Sequence, residues 1–257
     1  MLAIIGGSGL TQLSNLEVSH REVVRTPYGE PSGALTFGRV GGRDALFLAR
    51  HGYGHSIPPH LVNYRANLWA LKESGAKYIV SVASVGGIRA DLNPGDIVIP
   101  HQIIDYTWGR KNTYFDGNGA PVTHVDFTEP YDAILRRQLL AAAAAVGISV
   151  KDGGVYGATQ GPRLETAAEI DRFERDGVAV VGMTGMPEAV LARELGIPYA
   201  AINLISNHAA GRGQSSDGIH FGKLEEVLQA AMGQVRKVIE QVVHQASDDR
   251  EQGSKQE

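Results

Sequence analysis

Residues 200–211 read AAINLISNHAAG. The apolar run from Ala200 to Ile205 has the character of a strand buried on both faces, and it stops at Ser206-Asn207-His208. A parallel strand of an α/β sheet ends in this way when it delivers polar side chains to a site at its C-terminal edge. The amide of Asn207 donates and accepts at once, whereas an ionised carboxylate only accepts. Such a group complements a ligand edge that shows a carbonyl beside an N–H, as a 6-oxopurine does at O6 and N7. The stretch also has a plainer reading, in which Asn207 caps the following turn.

The segments around it alternate between strand and helix. Leu2 to Ile5 predicts a strand that runs into Gly6-Gly7-Ser8-Gly9. Ala34 to Val40 and Asp44 to Ala49 predict a hairpin turning at Gly41-Gly42. Leu61 to Ser74 carries Leu61, Tyr64, Leu68 and Leu71 at helical spacing and stops at Gly75. Further strands are expected over Lys77 to Ala83, Asp96 to Pro100, Val150 to Ala158, Val178 to Val181 and Ile197 to Ile205. Helices are expected over Pro130 to Val146, Thr166 to Glu174, Met186 to Leu195 and Leu224 to Gln245, and residues 105–128 read as a loop. The pattern predicts one α/β domain, residues 1–246, with a mixed, largely parallel central sheet flanked by helices. A polar, disordered tail is expected over 247–257.

Composition narrows the function. The chain has 257 residues, 43% hydrophobic and 20% charged, which supports a sizeable core. Its net charge of −4, without a basic patch, argues against a nucleic-acid partner. There is no cysteine, so disulfides and thiolate chemistry are excluded. No apolar run approaches the roughly 20 residues of a membrane span. A soluble cytoplasmic protein acting on small molecules is expected.

Four strand ends carry groups suited to an oxyanion. Gly6-Gly7-Ser8-Gly9 offers backbone N–H groups and a hydroxyl. Arg50-His51 follows a strand directly, and arginine binds phosphate through two parallel hydrogen bonds. Ser84-Val85-Gly86-Gly87 and Met183-Thr184 repeat the arrangement. Each has an ordinary structural use alone; together they point to a phosphate pocket at the sheet's C-terminal edge. His51, His55 and His60 lie within eleven residues, but no Asp or Glu lies among them, so anion binding is preferred to a metal. Glu165 precedes a helix and suits either its first turn or acceptance from a ring N–H.

In seven runs the chain resembles the trimeric purine nucleoside phosphorylase and methylthioadenosine phosphorylase family. They are IIGGSGL at 4–10, RHG at 50–52, NYRANLWALK at 63–72, PGDIVIP at 94–100, QGPRLET at 160–166, GMTGMPEAVLA at 182–192 and LISN at 204–207. The resemblance implies inverting phosphorolysis of a purine nucleoside in a homotrimer, with inorganic phosphate as co-substrate and no metal or other cofactor. It places phosphate at Ser8, Arg50, His51, the Ala83-Ser84 backbone and Thr184. It places ribose at Met183, and the purine at Glu165 and the segment Asn207-His208-Ala209. Asn207, Glu165 and His51 are the residues expected to act in catalysis.

Within that family the wording of the runs resembles the methylthioadenosine branch, but the base site does not. That branch has Asp at the positions of Asn207 and Ala209 and Ser at Glu165. Here Glu165 can accept from N1–H of a 6-oxopurine; adenine has no such hydrogen. An unpaired buried carboxylate costs on the order of 1–3 kcal/mol or more. Leu224 stands where inosine-type members carry a histidine for the 5′-hydroxyl, and it favours an apolar 5′ substituent. The combination predicts S-methyl-5′-thioinosine as substrate, giving hypoxanthine and 5-methylthioribose 1-phosphate. A general inosine or guanosine phosphorylase is the nearest alternative, and a methylthioadenosine phosphorylase the next. A dinucleotide-dependent oxidoreductase lacks its GxGxxG loop here. A non-catalytic nucleoside-binding module leaves the phosphate positions unexplained.

Overall fold

The computed structural model describes residues 1–253 except Ser8, Thr11, Gln12 and 118–120, and of 246–253 the backbone alone. Among the described residues eleven strands form one mixed sheet. They are β1 (Leu2–Gly6), β2 (Glu17–Glu22), β3 (Leu35–Val40), β4 (Arg43–Ala49), β5 (Tyr78–Gly87), β6 (Ile97–Ile99), β7 (Gln102–Asp105), β8 (Lys151–Asp152), β9 (Val155–Ala158), β10 (Val178–Gly182) and β11 (Tyr199–His208). Among the described residues five α-helices complete the fold: α1 (Tyr64–Glu73), α2 (Ala133–Ala145), α3 (Ala167–Arg175), α4 (Gly185–Glu194) and α5 (Phe221–Gly253). The main path runs β2-β3-β4-β1-β5-β10-β9-β7. β11 pairs with β5 and β6, and β6 with β8.

The organising strand is β5. Its first half is parallel to β1 on one side, Leu2 facing Tyr78. It is parallel to β11 on the other, Tyr199 facing Ile79. At Gly86 and Gly87 antiparallel β10 joins it. Helices cover both faces, which is why these strands read as continuous apolar runs rather than alternating ones. On β1, Leu2 and Ile4 pack with residues of α2 and α5, such as Leu139 and Val235. Ala3 and Ile5 pack on the opposite face with residues of α1 and α4, such as Leu68 and Leu191.

Side-chain caps start α1 and α2 at Tyr64 and Ala133, three residues later than expected, and α3 at Ala167, one residue later. Asn63 caps α1 by accepting from Ala66 N, and Asp132 caps α2 by accepting from Leu135 N. Thr166 and Glu169 form a reciprocal capping box on α3. Glu169 is therefore the acidic residue of that first turn, and Glu165 lies outside the helix.

Four expectations change. The strand of 200–211 does not stop at Ile205, because β5 also runs on to Gly87 and supplies partners as far as His208. Asn207 is a strand residue and not a turn cap. The segment Ser84 to Gly87 lies inside β5 rather than beyond it. Val150 to Ala158 is split into β8 and β9 by Gly153 and Gly154, both at positive φ. Finally, α5 continues to Gly253, past the expected end at Gln245. Residues 246–252, ASDDREQ, include no glycine or proline to stop it. The exposed edge strand β2, EVSHRE, escaped prediction because a strand whose one apolar residue is Val18 carries no alternating apolar signal. Among the described residues, no helix is long and apolar enough to cross a membrane.

Candidate active site

At the C-terminal ends of β5, β10 and β11 lies a cavity of about 680 Å³. The bulge in β11 shapes one wall. Ile205 pairs with Val85 and Asn207 with Gly86, which leaves Ser206 as an extra residue. Bulges of this kind re-aim side chains beside functional sites. The residues facing Asn207 and His208 across the ladder are Gly86 and Gly87, so no opposing side chain fills the space.

Asn207 is held in one orientation. Its Nδ2 donates to the carbonyl of His208 at 2.7 Å, and its Oδ1 accepts from Ser206 Oγ at 2.9 Å. A carbonyl can only accept, so the nitrogen of the amide must face His208 O. One N–H and one acceptor direction remain for a ligand. Glu165 also lines the cavity. Thr159 Oγ1 donates to its Oε1 at 2.6 Å, which leaves Oε2 for another donor. Burial pushes the pKa of Glu165 above the usual carboxylate range, with the bond from Thr159 opposing the shift.

The cationic wall differs from expectation. The guanidinium of Arg50 is fully buried. Its Nε and Nη2 pair with Glu188 at 2.7 and 2.9 Å. Nη2 also donates to Ser81 Oγ at 2.6 Å, and Nη1 to Val82 O at 3.1 Å. Of its five N–H groups, one on Nη1 is left. A Cβ on Gly7 would come within 2.7 Å of Nη1, so glycine is what allows the loop to pass there. The two-pronged face of the guanidinium thus holds a carboxylate, not a phosphate. Burial works against the charge of Arg50, but Glu188 outweighs it and holds the guanidinium protonated. Tyr199 donates to Glu188 Oε1 at 2.8 Å, completing the network. Glu188 was missed by sequence reasoning. Its signal was a lone carboxylate beside the apolar run AVLA of a helix, which cannot be buried unpaired.

His51 Nδ1 lies 2.8 Å from Ile57 O, so that nitrogen carries the hydrogen and Nε2 is the acceptor. Burial and then the charge of Arg50 lower its pKa to about 4. Ala83, Ser84, Met183, Thr184, Ala209 and Leu224 also line the cavity, Leu224 beside Ile219 and Phe221. Thr184 is the N-cap residue of α4, yet its hydroxyl makes no capping bond. Ser8 lies outside the described residues. The ring of His208 does not line the cavity; it packs against Gly213 and accepts from Gln214 N, and its carbonyl alone serves the site, through Asn207. Among the described residues, no cluster of His, Cys, Asp and Glu could hold a metal ion.

The cavity is therefore lined by a cation and hydroxyls and also by an oriented amide with a carboxylate. The family model of the phosphorylase superfamily matches residues 1–244. The chain belongs to the phosphorylase superfamily. Its similarity to other superfamily members extends over nearly its whole length. It is 51% identical to the probable S-methyl-5′-thioinosine phosphorylase of Pseudomonas syringae pv. tomato, covering 94% of this chain and 97% of that one. It is 45% identical to the 6-oxopurine nucleoside phosphorylase of Pyrococcus furiosus, covering 93% and 90%. Methylthioadenosine phosphorylase from Schistosoma mansoni, solved with adenine, superposes with a TM-score of 0.91 at 32% identity, over 96% of this chain and 92% of that one. The expected α/β nucleoside phosphorylase fold, with its mixed sheet, is thus the superfamily's own.

Proposed function

We propose that the protein cleaves S-methyl-5′-thioinosine with inorganic phosphate, releasing hypoxanthine and 5-methylthioribose 1-phosphate. The observation that carries the reading is the fixed amide of Asn207 in one cavity with Glu165. In the proposed complex Nδ2–H donates to O6 and Glu165 accepts from N1–H; N7 of the nucleoside carries no hydrogen, and Oδ1 accepts from N7–H only once the departing purine has taken up the proton that phosphate gives up on forming its bond to C1′. The names of the Pseudomonas and Pyrococcus relatives support a 6-oxopurine base. The apolar Ile219, Phe221 and Leu224 support a thioether at the 5′ end.

Phosphate attacks C1′ from the face opposite the base, and the glycosidic bond breaks through an oxocarbenium-like state. Arg50, through its remaining N–H, Ser8, the Ala83-Ser84 backbone and Thr184 hold the phosphate, and Nε2 of His51 accepts from a phosphate or ribose hydroxyl. Negative charge builds on the purine as the bond breaks. The Asn207 N–H already aimed at O6 stabilises that charge without reorganising, which lowers the barrier. No metal or other cofactor takes part in the proposed reaction. A homotrimer in the cytoplasm belongs to the same reading, supported by the family resemblance and by the exposed Phe221 at the cavity.

Incubation with phosphate and, separately, methylthioinosine, methylthioadenosine and inosine tests the reading by the base released. Methylthioinosine is expected to give the highest kcat/KM. Equal or faster cleavage of inosine would assign a general 6-oxopurine enzyme instead, and no phosphate-dependent release from any would defeat the enzymatic reading.

The raised pKa of Glu165 adds a pH dependence. Once protonated, its carboxyl can donate to the bare N1 of a 6-aminopurine. As pH falls toward its raised pKa, the preference for methylthioinosine over methylthioadenosine is therefore expected to shrink. The ratio of the two kcat/KM values, followed against pH, checks this. In Glu165→Gln the ratio should be low and flat with pH. A wild-type ratio that stays constant on acidification counts against the assignment of Glu165.

A further inference from the structure

The loop between β7 and α2 shows no motif in the sequence, yet one of its side chains reaches both halves of the cavity wall. Arg110 Nη1 donates to the carbonyls of Met183 at 2.8 Å and Met186 at 2.6 Å. Nη2 donates to the carbonyls of Thr159 at 3.1 Å and Gln160 at 2.8 Å. Nε donates to Gln160 Oε1 at 3.2 Å. All five N–H groups thus meet oxygens, and every one of those oxygens is uncharged. The guanidinium also lies over the ring of Tyr64, 5.6 Å from its centre. A guanidinium matched in this way fixes backbone geometry rather than neutralising a carboxylate.

The two segments it joins carry different parts of the site. Met183 and Thr184 lie between β10 and α4, and Thr159 and Gln160 follow β9. Thr159 in turn holds Glu165 through its hydroxyl. The segments also touch directly. Gly161, at φ 59°, lies so near Met183 that a Cβ there would stand 2.4 Å from its sulfur. Among the described residues of the loop, no other side chain is bonded to both segments.

We propose that Arg110 is a positioning residue that sets the base-recognising carboxylate and the ribose-side Met183-Thr184 segment relative to each other. The inference rests on the assignment of those residues to a nucleoside site. Loss of Arg110 leaves four carbonyls without their shared donor and lets the two segments drift apart. Misplacement by about 1 Å can cost on the order of 100-fold in rate. Lysine offers three N–H groups from a single atom and cannot span two loops, so Arg110→Lys is not a conservative change.

The test uses the full-length protein with Arg110→Ala and Arg110→Lys. Each is assayed with phosphate and with methylthioinosine and methylthioadenosine, beside its thermal midpoint. Arg110→Ala is expected to lose about 100-fold in kcat/KM for the 6-oxopurine, with a smaller loss for the 6-aminopurine, so that base discrimination falls. Millimolar guanidinium chloride should restore part of that activity in Arg110→Ala and none in Arg110→Lys. Should Arg110→Ala fail to fold, the change in base discrimination is read from Arg110→Lys. Unchanged discrimination with only a lower Tm, or activity scaling equally on both bases, would overturn the proposal and leave Arg110 a brace of the fold. If the wild-type protein cleaves neither nucleoside, the substrate reading has failed instead, and the wild-type control makes the two failures distinct.

Discussion

Glu188→Ala is expected to lower the free energy of unfolding by about 3–5 kcal/mol, the cost typical of removing one partner from a buried ion pair. Both side chains of the pair are fully shielded from water. The carboxylate closes a fork on the guanidinium and also accepts from Tyr199. Without it, Arg50 keeps its charge in a place where only Ser81 Oγ and Val82 O remain to it. The cost arises from that uncompensated charge more than from the lost attraction. A consequence distinguishes this account from a simple packing defect. An anion entering the cavity can take over part of the work of the missing carboxylate. Added phosphate should therefore stabilise Glu188→Ala more than it stabilises the wild-type protein. Urea titrations of both, with and without phosphate, measure the two differences. A variant within about 1 kcal/mol of wild type, or one indifferent to phosphate, contradicts the role given to Glu188.

Asn207→Asp is expected to lower kcat/KM on methylthioinosine by about 100- to 1,000-fold, or about 3–4 kcal/mol of transition-state stabilisation. The substitution is nearly isosteric, so the loss is electronic. One carboxylate oxygen would face the carbonyl of His208 at the 2.7 Å now occupied by a hydrogen bond. Two acceptors repel at that distance. The donor that the proposal gives to O6 is removed, and an anion stands where negative charge develops on the leaving purine. Turnover of methylthioadenosine should rise far less than the other falls, because Glu165 still opposes a purine without N1–H. Steady-state kinetics on both nucleosides decide the matter. Unchanged kcat/KM on methylthioinosine would sink the role proposed for Asn207.

Much of this was legible in the chain because its strands are buried on both faces. Runs such as Leu2 to Ile5, uniformly apolar, and Ala200 to Ile205, apolar but for Asn203, announce themselves by the lack of alternation. The glycines that follow them mark where a site has room. What the sequence concealed was pairing at a distance. Glu188 looks like one more helix residue until Arg50, 138 positions away, is found against it. That partnership reverses the simple expectation that an arginine at a strand end presents its fork to phosphate. Arg110 was hidden for a related reason: its partners are main-chain carbonyls, which carry no residue type to read. The bulge at Ser206 likewise depends on how β11 meets β5, so its effect on Asn207 and His208 follows from register, not from composition.

The central strand β5 acts on the ligand as a ruler. Ala83 and Ser84 stand at the end of the cavity proposed for phosphate, and Gly86 faces Asn207. Gly86 lies three steps of extended chain beyond Ala83, a span of roughly 10 Å at 3.3 Å per residue. That interval is covalent and does not depend on which side chains surround it. Preference for one base over another can then drift through exchanges at Asn207 and Glu165 while the distance from attacking anion to departing base stays the same. One scaffold can thereby serve several nucleosides without being rebuilt.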